Sequence, residues 1–239
     1  MNVERNEFGQ PIGPIVENWR VPPRPAREVL SGAWCRLEPL DPDRHARDLF
    51  EAYACAGGES IWTYLGYGPF DTLAEYRAWI AERYLGEDPL FFAIVDASTD
   101  RAAGVASYLR IDPNAGAIEV GHLAYSPRLQ RSRAATEAMY LMMRNAFQLG
   151  YRRYEWKCHA LNEPSRNAAL RLGFTFEGIF RQALVVKGRN RDTAWFSIVD
   201  GEWPRLEAAF AQWLAPDNFD AADSQRTTLA AIRQSVRMD

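Results

Sequence analysis

The spacing of apolar and polar residues changes period several times along the chain, and each change predicts an element. Residues 1–32 have no period. Pro11, Gly13, Pro14, Pro22, Pro23 and Pro25 break helices and ladders alike, so this stretch reads as an extended arm. Trp19 and Val21 within it could anchor on the domain or on a second subunit. A first strand is predicted over 33–40 and a helix over 42–53, with Asp41 as its cap. An aromatic loop follows, carrying Trp62, Tyr64, Tyr67 and Phe70. Leu73, Tyr76, Trp79 and Ile80 then share one face of a helix predicted over 71–84. Three β-compatible runs come next, at 90–95, 102–111 and 117–125, separated by Ser98-Thr99-Asp100 and by Pro113-Asn114-Ala115-Gly116.

After Tyr125 the period turns helical again. Ala134, Ala135, Ala138, Met139, Met142 and Ala146 recur at helical spacing, and Gly150 ends the run. Residues 153–159 read as a strand. A helix then opens with Asn162 as cap and Pro164 in its first turn, and closes at Gly173. Strands at 174–180 and 193–199 flank a basic hairpin tip, Lys187 to Arg191. A helix is expected over 202–214, and a tail over 215–239 with a helix from Ser224 to Met238.

The stretch Tyr125 to Glu137 carries the clearest chemistry. A tight turn entering a helix offers backbone N–H groups without intrahelical partners, at the positive end of the helix dipole. Such a turn binds phosphate, and Arg128, Arg131 and Arg133 add fixed charge and forked donors. Glu119, mid-strand just before this turn among Ile118, Val120 and Leu123, is the candidate general base. His122 is the alternate, although strict strand alternation puts it on the opposite face unless a bulge at Gly121 intervenes. Asn162 and Ser165 are both residue types that favour helix starts, so each is suited to capping. Cys158 and His159 are adjacent on a strand, so they do not form a nucleophile–base pair. His45, His122 and His159 lack the spacing of a metal site, and no metal is expected.

Composition narrows the class. With 239 residues and 47% hydrophobic content, the chain can bury a substantial core. No apolar run is long enough to span a bilayer, and the N-terminus lacks the order of a secretory signal, so no membrane role is expected. Three widely spaced cysteines suit reduced thiols, and a cytoplasmic location is expected. A net charge of −3 without a basic block argues against nucleic-acid binding.

The Glu119-Val120-Gly121-His122 strand, the Gln130-to-Glu137 loop, and Asn162 and Ser165 with the downstream Leu172-Gly173-Phe174 occur in an order that resembles the GCN5-related N-acetyltransferase (GNAT) family. Within it, the chain is similar to the ribosomal-protein N-terminal acetyltransferase-like branch, over residues 33 to 200. The resemblance implies an α/β (α+β) GNAT fold: a central, mixed, mostly antiparallel twisted sheet of about seven strands, flanked by helices, whose middle strands splay apart. It divides the chain into an arm (1–32), an acetyltransferase domain (33–200) and a C-terminal helix and tail (201–239).

The resemblance also implies acetyl-CoA as cosubstrate and transfer to a primary amine, on a protein N-terminus or a small molecule. The backbone of Leu123, Ala124 and Tyr125 would hold the pantetheine arm. Gln130, Arg131, Ser132, Arg133, Ala134, Ala135 and Thr136 would cradle the pyrophosphate, with Asn162 fixing backbone or pantetheine geometry. Glu119 would serve as base, with Ser165 as proton donor to the departing thiolate and Tyr125 as a second candidate donor. The aromatic loop before the second helix would line the acceptor cleft. A homodimer is left open. The family's loop pattern, Q/R-x-x-G-x-G/A, has glycine where this chain has Arg133. That arginine reads as a substituted phosphate clamp, and it also supports a rival reading as a non-catalytic acyl-CoA sensor or partner-binding module.

Overall fold

The computed structural model describes residues 4–236. Among these, eight strands form one sheet: β1 (Leu30–Ser31), β2 (Cys35–Pro39), β3 (Leu90–Asp96), β4 (Arg101–Asp112), β5 (Ala117–Tyr125), β6 (Arg153–His159), β7 (Thr175–Val186) and β8 (Arg189–Val199). The order across the sheet is β1-β2-β3-β4-β5-β6-β8-β7. Every pairing is antiparallel except β5 with β6. The helices are α1 (Pro42–Tyr53), α2 (Leu73–Ala81), α3 (Arg133–Gln148), α4 (Glu163–Leu172), α5 (Trp203–Leu214) and α6 (Leu229–Ser235).

Local signals set most boundaries. Asp41 caps α1 through the amides of Asp43 and Arg44, and Thr72 with Glu75 forms a reciprocal capping box on α2. Asn162 caps α4, which ends at Gly173 with φ 106°. β3 divides two cores by strand alternation. Leu90, Phe92 and Ile94 pack on the α3 side, while Phe91, Ala93 and Val95 pack beneath α1 and α2. Phe210, Trp213, Phe219, Leu229 and Ile232, from the segment beyond β8, fill the core on the α3 side. The helix expected from Ser224 is shorter, Leu229–Ser235, and its expected end at Met238 lies outside the described residues.

Two ties join the sheet to α3. Tyr108 donates to the carbonyl of Met142 at 2.6 Å. The buried carboxylate of Glu137 accepts the backbone amides of Ala33, Trp34 and Cys35 at 2.8, 2.6 and 2.8 Å, so it holds the start of β2. The arm lies against its own domain from Trp19 onward. Trp19 packs on Gly116 and Arg152, Arg24 pairs with Asp88, and Arg27 donates to the carbonyl of Gly86.

Candidate active site

The parallel β5–β6 pairing runs from Ala117↔Arg153 to Val120↔Trp156 and stops there. Beyond it, β6 stays with β8 (Lys157↔Trp195, Cys158↔Ala194, His159↔Thr193) while β5 stays with β4 (Ala124↔Val105, Tyr125↔Gly104). The β6-facing backbone of residues 121–125 therefore has no sheet partner. A cavity of about 190 Å³ opens at this divergence. Glu119, Leu123, Asn162 and Ser165 line it together, along with Arg110, Lys157, Arg191, His122 and His159.

Two β-bulges shape the cavity. One lies in β4 between Leu109 and Asp112, the other in β5 between Gly121 and Ala124. Arg110 (φ 46°) and His122 (φ 51°) occupy them, in a left-handed conformation that few non-glycine residues adopt. Both side chains line the cavity, as expected where a bulge re-aims a side chain. The break in alternation thus falls at His122 itself, and Glu119 and His122 share one cavity. Gly121 lies close under Leu109: a Cβ there would sit 2.9 Å from a Leu109 methyl, which would have to shift.

Glu119 is 3% exposed. Arg110 Nη1 donates to both of its oxygens at 2.8 Å, and Lys157 Nζ lies 2.9 Å from Oε2. Lys157 also reaches Glu155 at 2.7 Å and stacks over the Trp195 ring. His122 packs on Tyr67 and Phe91. Burial, reinforced by Arg110, Arg83 and Arg191, pushes its pKa down to about 4, so the imidazole is neutral at pH 7. Ser165 Oγ accepts the indole N–H of Trp156 at 3.0 Å, and its backbone amide is capped by Asn162 Oδ1. Burial raises the pKa of Cys158, against a hydrogen bond from Ser165 that lowers it. The Nδ1 of His159 accepts the Leu161 amide, and its ring packs on Tyr64.

The Gln130–Thr136 segment forms a separate turn that does not line this cavity. Gln130 donates to the Tyr125 carbonyl, Arg131 is exposed at φ 61°, and Ser132 caps α3 through the Ala135 amide. Ala134 and Ala135 are buried in the first turn, and Thr136 Oγ1 accepts from Arg171. The orphan amides of this turn and the bare edge of β5 are a donor set that fits a phosphate ester with an extended amide-bearing arm. The Arg133 side chain is not part of that set. Its guanidinium lies between the Trp34 and Phe219 rings, 3.9 and 3.4 Å from their centroids, and is paired with Asp223. Packing beneath the C-terminal segment occupies the Arg133 side chain, which tells against its reading as a phosphate clamp.

Ala124 is buried, and its carbonyl accepts the Tyr53 hydroxyl. The Tyr125 hydroxyl is buried without a partner among the described residues, and burial raises its pKa. Of the aromatic loop, Tyr64 lines the cavity, while Trp62, Tyr67 and Phe70 pack among Tyr53, Tyr76 and Trp79. Sequence reasoning missed Arg110 and Lys157. The bulge hides Arg110, whereas the alternation of Glu155 with Lys157 on β6 carried a readable signal. Among the described residues no group of three His, Cys, Asp or Glu side chains is arranged to hold a metal, and no helix is long and apolar enough to cross a membrane.

Comparison with known proteins agrees with this geometry. The model of the acetyltransferase (GNAT) domain matches residues 35–175. A GCN5-related N-acetyltransferase from Brucella melitensis is 49% identical, with a TM-score of 0.90, covering 92% of this chain and 100% of its own. A probable acetyltransferase of the GNAT family from Chromobacterium violaceum is 42% identical, with a TM-score of 0.76, covering 82% and 98%. The microcin C7 self-immunity acetyltransferase, in complex with acetyl-CoA and AMP, shares the fold at 22% identity and a TM-score of 0.62, covering 70% and 93%. Comparison with the curated proteins gives no match.

Proposed function

Because the chain belongs to the GNAT family of acetyltransferases, we propose that it transfers an acetyl group from acetyl-CoA directly to a primary amine held between β5 and β6. The observation that carries this reading is the divergence of β5 from β6 over a cavity holding Glu119, His122 and Ser165. The acetyl-CoA complex of the microcin C7 acetyltransferase supports the choice of donor. Bound acetyl-CoA supplies a thioester: a carbon–nitrogen bond forms as the carbon–sulfur bond breaks, the amine loses a proton, and the sulfur gains one.

The protein's part is to place and to move protons. The first turn of α3 holds the phosphates, and the β6-facing amides among residues 121–125 hold the arm and face the thioester oxygen. Glu119 takes the amine proton through a water, held in position by Arg110 and Lys157. Ser165, whose oxygen is anchored by the Trp156 indole, gives a proton to the departing sulfur. The high pKa of the buried Cys158 thiol supports direct transfer over an acyl-cysteine route. With the Arg133 side chain committed elsewhere, the sensor reading loses its main support.

The test combines calorimetry with an acceptor screen. Wild type should bind acetyl-CoA and release free thiol with a primary amine. Glu119→Gln should lower turnover by about 10²-fold or more while leaving acetyl-CoA affinity unchanged. Full turnover in that variant would move the base role to His122. Absence of acetyl-CoA binding in wild type would remove the donor assignment.

A further inference from the structure

The cavity carries more positive charge than its own residues neutralise. Arg110, Lys157 and Arg191 line it, and Glu119 is the one carboxylate among the described lining residues. Glu119 is shared by Arg110 and Lys157, and Lys157 has Glu155 as a second partner. Arg191 has no such partner. It is half-buried on β8, its side chain makes no ion pair or hydrogen bond among the described residues, and its Nε is enclosed without a partner there. Burial lowers the pKa of this guanidinium.

Taking a cation out of water without a counter-charge is costly, and such a group persists where a ligand supplies the anion. A guanidinium's planar fork matches the two oxygens of a carboxylate or a phosphate. The donor's phosphates are not the match, because no residue of the 126–136 turn lines this cavity. The volume, about 190 Å³, admits only a small group. Tyr64 and Leu184 are among the residues that line the cavity.

We propose that the acceptor is a small primary amine that itself bears an anionic group, a carboxylate or a phosphate, seated on Arg191 while its nitrogen faces the edge of β5. This rests on the acetyl-transfer reading and narrows it. The bonds made and broken in the transfer are unchanged.

Product-side probes test the site without knowledge of the natural acceptor. N-acetylglycine and N-acetylalanine are titrated against their uncharged amides, and N-acetylated phosphoethanolamine against N-acetylethanolamine. The full chain is used in calorimetry, with and without bound CoA. At least one anionic probe should bind about tenfold or more tighter than its neutral counterpart, as expected for a charge-assisted contact. The two pairs separate carboxylate from phosphate. Arg191→Gln should abolish the preference and Arg191→Lys should keep part of it. Should Arg191→Gln fail to fold, the wild-type preference must still shrink between about 50 and about 500 mM salt. Equal binding of charged and neutral probes, or a preference that survives Arg191→Gln, overturns the proposal. Failure of CoA to bind would instead undo the acetyl-transfer reading, and the probe comparison on CoA-free protein would still report on the anion site.

Discussion

At the scale of the residue, His122 shows how much a single backbone angle decides. Its left-handed conformation turns the ring into the cavity, where burial and three arginines hold it neutral. In the unfolded chain the imidazole titrates near 6.5, against about 4 in the fold. Between those values the unfolded chain binds more protons, so stability falls as pH drops through this window and levels off below it. Asparagine tolerates φ near +50° and does not titrate. His122→Asn should therefore flatten the fall in unfolding free energy between about pH 6.5 and about pH 4, measured by urea titration. A residual slope is expected in both proteins, because burial also lowers the pKa of His45. An unchanged slope would show that another group dominates. Glu119, Ser165 and Asn162 were readable in the sequence because strand period and helix capping are local. Arg110 was not, since nothing in its neighbours announces a bulge.

At the scale of the element, the start of α3 separates pattern from structure. The family's glycine position is Arg133, yet the residue at positive φ is Arg131, two earlier. Arg133 is already the first residue of the helix, and its side chain serves packing. Arg133→Ala should lower stability by about 1–3 kcal/mol, through loss of two aromatic faces and the Asp223 pair, while acetyl-CoA affinity changes by less than about threefold. Denaturant titration and calorimetry on one preparation check both. A larger loss of affinity would restore the clamp reading. Helix limits were legible because caps act within a turn. The extent of β7 was not: it runs to Val186 instead of Phe180, past a bulge where Asp192 accepts the Gln182 amide, and most of its side chains are exposed. A strand with little buried face carries little period to read.

At the scale of the whole molecule, the sheet is weakest where function needs it open. The β5–β6 ladder spans four residue pairs; beyond it Lys157 reaches back to Glu119, the Tyr64 hydroxyl donates to the Leu161 carbonyl and Lys187 donates to the Trp62 carbonyl. Although the two-residue β1 lies inside the stretch read as an irregular arm, the order of elements was legible from β2 onward. The burial of the last helices against α3 was not, because amphipathic helices declare that they pack without declaring on what.

Glu137 bears on how long the native state lasts. The three amides it gathers lie 102 to 104 residues away in the chain, so the contact forms only after a long loop has closed. Interactions of such span are expected to be absent from the folding transition state and to act on the return journey. Glu137→Gln should leave the refolding rate near that of wild type and speed unfolding by about tenfold or more, as read from the two arms of a stopped-flow chevron. Slowed refolding would instead put the start of β2 in the folding nucleus. On the expected outcome, this one carboxylate governs the protein's lifetime against local opening and proteolysis, while the rate at which it first folds is set elsewhere.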